Sequence, residues 1–256
     1  MSFDQTRLMT ATHPMLREHL PNVAVLPWGA TEAHGRHLPY GTDVIEATAL
    51  AEHAADQAYQ QGARIVVLPA VPFGNNAQQL DQAAAVHLNT RTALCILEDV
   101  SDSLIRQGID RLAIVNAHGG NAFKPLVRDV MKDRGILIAV IDFWRLVPDE
   151  RARIFDIAGD HADEMETSLL LYLCPERVRM QDAGEGARNP FRIEGLNQPG
   201  VWTPRPWTAS HPDLGAGDPR RASREKGERY FHAVCGAIAD ILLNLSLARK
   251  GDLPYI

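Results

Sequence analysis

The chain has 256 residues, ample for one large α/β domain, and its 45% hydrophobic and 23% charged content excludes an intrinsically disordered chain. Acidic residues outnumber basic ones 32 to 26, giving a formal charge of −6 with no Lys/Arg block, so there is no electrostatic footprint for nucleic acid or an anionic membrane. No uninterrupted apolar run reaches the roughly 18 residues of a membrane span, the first residues lack the apolar heart of a signal peptide, and Cys95, Cys174 and Cys235 stand far apart in apolar stretches as expected of reduced core thiols in a cytoplasmic protein.

In chain order, residues 22–27 predict a first strand and the alanine-rich stretch 44–61 a helix stopped by Gly62. Residues 64–68 predict the next strand, closed by Pro69, and Thr90 can cap a helix that runs to about Gln107 and stops at Gly108. Residues 111–115 predict a third strand, 122–134 a helix stopped by Gly135, and 136–141 a fourth strand. Stretches 162–173 and 222–247 predict two further helices. Continuous apolar strands separated by helices are buried on both faces, so the expected fold is a three-layer α/β/α sandwich around a mostly parallel sheet. No second core or linker appears, and 1–256 reads as a single domain. Residues 184–223 break the rhythm, with six of the sixteen prolines, six glycines, Trp202 and Trp207. Two tryptophans are costly to leave in water, which marks this segment as an active-site lid or a subunit contact.

Ligands bind beyond the carboxyl ends of the strands in open parallel sheets, and two loops so placed are crowded with metal-type ligands. The first strand is followed by Trp28-Gly-Ala-Thr-Glu32-Ala-His34-Gly-Arg-His37-Leu-Pro-Tyr-Gly-Thr-Asp43, and the third by Asn116-Ala-His118-Gly-Gly-Asn121. Residues i and i+2 of an extended segment project to the same side, so Glu32 and His34 can converge. Asp43 falls where the next helix begins, and Gly119-Gly120 lets the backbone turn sharply beside His118. A third cluster is Asp160-His161-Ala-Asp163-Glu164-Met-Glu166-Thr-Ser168. Glu166 shares a helix face with Leu169, Leu170 and Leu173, whereas Glu164 points with Thr167 and Ser168; the acid on the apolar face is the one that needs a partner, so Glu166 is the functional candidate and Glu164 a first-turn charge favoured by the helix dipole. Each residue alone has a plainer account: a histidine is more often hydrogen-bonded than ligating, Asp43 serves as a helix cap, and Gly119-Gly120 could cradle a phosphate. Together, so many carboxylates in one dry crevice need a divalent cation, and carboxylate-plus-imidazole sets suit zinc, manganese or iron.

These residues resemble the signature blocks of the creatininase (creatinine amidohydrolase) family: Gly29-Ala-Thr-Glu32-Ala-His34 through Pro39 and Gly-Thr-Asp43, Asn116 to Asn121, His161 to Ser168, and a late Gly217-Asp-Pro-Arg-Arg-Ala-Ser-Arg-Glu-Lys-Gly227. The resemblance implies a metal-dependent amidohydrolase with one or two divalent ions per subunit, a homo-oligomer (a hexamer), and a small-molecule substrate. It implies Glu32, His34, Asp43 and His118 as ligands with Asp43 bridging, His161 as the acid/base histidine, and Glu166 as a ligand or proton-transfer group. Four departures bear on the substrate: Gly119-Gly120 stands where creatininase proper has Tyr-Glu, Ile157 where it has tryptophan, residues 82–89 where many members read Phe-Pro-Gly-Thr, and Arg36 where proline is usual.

The expected function is hydrolysis of a small carbonyl compound, a cyclic or formyl amide rather than creatinine itself. One rival keeps the metal and opens a cyclic keto-sugar, keto-inositol or lactone. A rival of another class is a non-catalytic nucleotide-binding or scaffold protein using Gly119-Gly120, although the loop lacks a P-loop's Lys-Ser/Thr.

Overall fold

Four parallel strands form the centre of the computed structural model, which describes residues 5–249: β1 (Val23–Trp28), β2 (Ile65–Val67), β3 (Arg111–Asn116) and β4 (Leu137–Asp142), in the order β2-β1-β3-β4. The ends of the expected domain, residues 1–4 and 250–256, lie outside the described residues. Eight α-helices accompany the sheet among the described residues: α1 (His13–Glu18), α2 (Thr42–Gln60), α3 (Thr90–Arg106), α4 (Phe123–Asp133), α5 (Pro148–Ile154), α6 (Glu164–Leu173), α7 (Trp207–Ser210) and α8 (Arg224–Leu247).

The strand pleat sorts the core into two layers. Val23, Val25, Ala113 and Val115 face α2, α6 and α8, while Ala24, Leu26, Trp28, Leu112 and Ile114 face α3 and α4. Both faces of β1 and β3 are therefore dry, which accounts for apolar runs with no polar alternation and gives the expected α/β/α sandwich. Ala47, Ala51, Ala54, Ala55 and Ala58 of α2 are wholly buried, and their small side chains let the helix lie close to the sheet and to α8. α8 averages a mean hydropathy of 1.5 over 18 residues, enough by length and composition for a membrane-crossing helix although no uninterrupted apolar run has that length. Here its Tyr230, Val234, Ile238 and Leu242 are buried in the core against α2 and α6.

Caps place the helix starts within two residues of expectation. Asp163, not Ala162, opens α6 by accepting from the Met165 and Glu166 amides, and the Ser223 hydroxyl does the same for α8 at Lys226. α1, α5 and α7, at four to seven residues each, carry too few turns for a periodic signal. One thiol departs from expectation: Cys174 and Cys235 are buried, but Cys95 is exposed, because the buried stripe of α3 runs through Leu97, Ser101 and Leu104 on the other side of the helix.

The chain leaves β1 toward β2 through α2 and leaves β3 toward β4 through α4, in opposite directions across the sheet. The crevice of an open α/β sheet forms at such a switch point, between the carboxyl ends of β1 and β3.

Candidate metal centre

Sequence-distant residues reach that crevice by separate routes. β1 ends at Trp28, and Gly29 follows where a side chain could not fit: a Cβ there would lie 2.6 Å from the Val44 nitrogen. The missing side chain lets the start of α2 abut the strand end. α2 begins at Thr42 with Gly41 at its N-cap, so Asp43 is in the first turn and is not the cap residue. Gly119-Gly120 turns the backbone beside His118 as expected, closed by the Asn121 amide donating to the His118 carbonyl at 3.1 Å; the turn uses no left-handed residue, and a Cβ on Gly120 would strike the His118 ring and the Asn75 carbonyl. Space beside His118 is what that position needs.

Glu32, His34, Asp43, His118, His161 and Glu166 are all buried and meet in one place. Nε2 of His34 lies 2.8 Å from Asp43 Oδ1, and Nδ1 of His118 lies 3.1 Å from Glu32 Oε1 and 3.2 Å from Asp43 Oδ2. Nδ1 of His161 is 3.6 Å from Glu32 Oε1. Three triads have ligand atoms within 4.8 Å of one another: Glu32–Asp43–His118, His34–Asp43–Glu166 and Glu32–His34–His161. Asp43 belongs to two of them.

The ring nitrogens turned away from the cluster fix the orientation of these histidines. His34 Nδ1 faces the Glu32 carbonyl at 3.2 Å, His118 Nε2 the Asn75 carbonyl at 3.2 Å, and His161 Nε2 the Ala33 carbonyl at 2.8 Å. An N–H donated to a backbone carbonyl leaves the other nitrogen with its lone pair aimed inward, the arrangement of a metal-ligating imidazole. Glu32 Oε1, His34 Nε2 and Asp43 Oδ2 face one another and His118 with no well-formed hydrogen bond, although buried polar groups normally have one. A divalent cation answers that deficit, so the donor set fits one.

Without an ion, protons carry the balance. Burial would lower the pKa of His34, but Asp43, Glu166 and Glu32 outweigh it and push it to about 10. Burial likewise opposes Glu32 and Asp43 at His118, which they raise. His161 runs the other way: burial and the charge of His34 drive it down to about 4, leaving it neutral with Nδ1 toward the cluster. Burial, Asp163 and Asp43 raise Glu166 to about 8.

Glu166 joins the cluster, and its carboxylate accepts the amide of Ala162, which sits in left-handed backbone at φ 49° directly after His161. Glu164 stands in the first turn of α6 as expected, but not on a polar face that needs no partner: it is 0% exposed, accepts the Asp156 and Ile157 amides at 2.9 Å each, and pairs with Lys226. α6 is buried nearly all round, which is why its two faces could not be told apart by polarity.

Sequence reasoning missed several neighbours. Gln79 donates to Glu32 Oε2, and Asn116 accepts the His118 amide at 3.1 Å. Glu46, one turn after Asp43, is wholly buried with neither oxygen partnered; burial, Glu166 and Asp43 raise its pKa well above the usual carboxylate range. A residue three places after a candidate ligand on the same helix is the signal that could have found it. Of the two tryptophans, Trp207 is 3% exposed and meets His161 edge-on at 5.1 Å, whereas Trp202 is 81% exposed. A cavity of about 570 Å³ opens over the cluster, lined by Glu32, Gln79, His118, His161, Arg205 and Trp207 among others.

The sequence model of the family described as creatininase, creatinine amidohydrolase, matches residues 9–242. The chain belongs to the creatininase family. Creatininase-family relatives include the mycofactocin precursor peptide peptidase of Mycolicibacterium smegmatis, 30% identical over 255 residues (96% of this chain, 94% of that protein). The creatinine amidohydrolase of Pseudomonas putida is 28% identical over 245 residues (86% and 88%), and the 3-dehydro-scyllo-inosose hydrolase of Thermotoga maritima 24% over 212 residues (75% and 67%). Among solved structures, a creatinine amidohydrolase-type protein from Bacteroides fragilis superposes with a TM-score of 0.89 at 34% identity, covering 98% of this chain and 100% of that one. A manganese form of creatininase and a mutant creatininase complexed with creatine share the fold, with TM-scores of 0.82 and 0.79 at 21% and 22% identity, each covering 95% of this chain and 99% of theirs. The family is one of amidohydrolases, which sets aside the scaffold reading of Gly119-Gly120.

Proposed function

We propose that the chain hydrolyses the C–N bond of a small amide, adding water across it to give a carboxylic acid and an amine, at a centre of one or two divalent ions (zinc, manganese or iron). The observation that carries this reading is the convergence of two triads on one carboxylate, Glu32–Asp43–His118 and His34–Asp43–Glu166, with the imidazole lone pairs turned inward. The second triad uses Glu166 rather than a residue of the His118 loop, so Gly120 does not by itself remove a second seat. Ions held there would polarise a carbonyl oxygen and lower the pKa of a nearby water.

The chain's own residues supply the remaining steps. His161 is neutral, and its Nδ1 lies at the edge of the cluster with the ring facing the cavity. It takes a proton from the attacking water at Nδ1 and returns it to the departing nitrogen. Its ring is held by the Ala33 carbonyl on one side and the edge of Trp207 on the other, which fixes where that proton is delivered. Trp207 also forms one wall of the cavity.

Cyclic and formyl amides remain within this reading, the peptide bond joins them through the Mycolicibacterium relative, and creatinine stays outside it on the four sequence departures. The Thermotoga relative keeps a second reading, ring opening of a keto-inositol. A panel of lactams, formamides, short peptides and keto-inositols, assayed with added manganese and zinc, separates the two. Asp43→Asn is expected to lose bound metal, read by elemental analysis, and turnover together; full metal content with a normal rate would sink the scheme.

A further inference from the structure

The 184–223 segment carries a cation that the metal centre does not use. The Arg205 guanidinium lies over the Trp207 ring, 5.4 Å from its centroid, and no carboxylate oxygen lies within 4.0 Å of it among the described residues. Most other arginines near this segment are paired: Arg220 with Asp218 and Glu185, Arg36 with Asp213, Arg151 with Asp163. Burial and the neighbouring Arg188 push the Arg205 pKa down more than Asp160 raises it, so its charge sits where a further anion would be welcome.

Two cavities meet at this residue. The inner one, of about 570 Å³, holds Glu32, His118 and His161; the outer one, of about 370 Å³, is lined by Arg188 and Arg205 together with Asn197 and Trp202, and by no acidic residue. Asp160 lines the inner cavity only, so the acid-free side of Arg205 is the outer one. The position of Arg205 is fixed by its neighbours: its amide faces Gln78 Oε1 at 3.5 Å, the Thr208 amide donates to Asp81 at 3.2 Å, and the Thr208 hydroxyl accepts from Gln82 at 2.6 Å. Trp207 is in turn stacked on His211, with ring centroids 4.0 Å apart. A substrate with its scissile carbonyl at the cluster and a tail reaching past Trp207 therefore ends in a cavity lined by two cations.

Resting on the amidohydrolase reading, we propose that Arg205, backed by Arg188, reads a carboxylate on the substrate, which makes the substrate class an N-acylated amino acid or a short peptide with a free C-terminal carboxylate. The planar guanidinium suits this task because it can hold both carboxylate oxygens while its face rests on the indole. Arg205 is a specificity-determining residue in this scheme and takes no part in bond cleavage.

The test has two arms on the full-length, metal-loaded protein. In the first, 4-phenylbutyrate and 4-phenylbutanol, neither of which has a C–N bond to cleave, are titrated by calorimetry. The carboxylate is expected to bind at least tenfold more tightly than the alcohol, Arg205→Ala to lose at least tenfold of that affinity, and Arg205→Lys to keep an intermediate part. Carboxylate binding that survives Arg205→Ala unchanged places the carboxylate on the metals, and equal or absent binding of the two probes removes the anion site; either result overturns the proposal. In the second arm, kcat/KM is compared for N-acetylated peptides ending in carboxylate or carboxamide. The ratio between them is expected to favour the carboxylate and to fall at least tenfold in Arg205→Ala, and a ratio that the substitution leaves unmoved also overturns the proposal. If the wild type cleaves no amide at all, the amidohydrolase reading fails while the titration still decides Arg205.

Discussion

Glu164 and Glu166 stand two residues apart on one helix and are both buried, yet they do unrelated work. Glu164 accepts two backbone amides and pairs with Lys226, whereas Glu166 faces His34 and Asp43. Glu164→Gln turns an amide group toward donors and is expected to cost about 1–3 kcal/mol of stability in urea unfolding while leaving bound metal intact. Glu166→Gln is expected to do the reverse, lowering metal affinity at least tenfold, read by titration with manganese, with little change in the unfolding midpoint. If both substitutions altered the same quantity, the division would be wrong. At this scale Glu32, His34, Asp43 and His118 were legible because histidines and carboxylates at strand ends carry a chemical signature in themselves. Gln79 and Arg205 were not: an amide or a lone arginine has no spacing pattern, and only folding brings each to the crevice, whereas Glu46 could have been found from its place one turn after Asp43. Glu164 was misread because a helix buried nearly all round has no polar face to expose the difference.

The elements that present these residues depend on one close approach. α2 meets the end of β1 only because Gly29 has no side chain, and Asp43 rides on the first turn of α2. Gly29→Ala is expected to push that turn away, reducing metal affinity at least tenfold and costing about 1–3 kcal/mol of stability, as overpacked cores do. Metal titration alongside urea unfolding checks both; an alanine variant with wild-type affinity would show that the turn can give without moving Asp43. The strands and long helices were readable because buried strands are continuously apolar and the glycines and capping residues mark their ends. Short α1, α5 and α7 were not, since a helix of one or two turns leaves no periodicity to read. The outward side of Cys95 escaped notice for a related reason: neighbouring apolar residues say nothing about which side of α3 a given one occupies.

Taken as a whole, the molecule holds buried imidazoles outside the proposed ligand set. Burial, with His34 and His161 nearby, drives His37 down to about 4, while its Nε2 meets the Thr167 hydroxyl at 2.8 Å. Between an unfolded value near 6.5 and about 4, the unfolded chain binds the proton and the folded chain does not, so His37 withdraws stability as pH falls through that window. The stability of the wild type minus that of His37→Gln, measured by urea unfolding after chelation, is therefore expected to shrink from pH 7 to pH 4. A difference that is flat or grows on acidification would contradict it. The three layers followed from the alternation of strand and helix patterns, but the strand order that puts the switch point between β1 and β3 did not, and neither did the wall built by residues 205–208, which rests on contacts with residues 78–82 that no local pattern encodes.

Asp43 is common property. Because one carboxylate belongs to both proposed triads, two ions held there would not bind independently: the first would neutralise and stiffen a group that the second also needs. Manganese added to the chelated chain should then enter in two unequal steps, or in one sigmoid, and never as a pair of identical independent events. Asp43→Asn should erase both, whereas Glu166→Gln should spare one. In the proposed two-ion centre Asp43 would thus be shared by both seats and Glu166 would serve one.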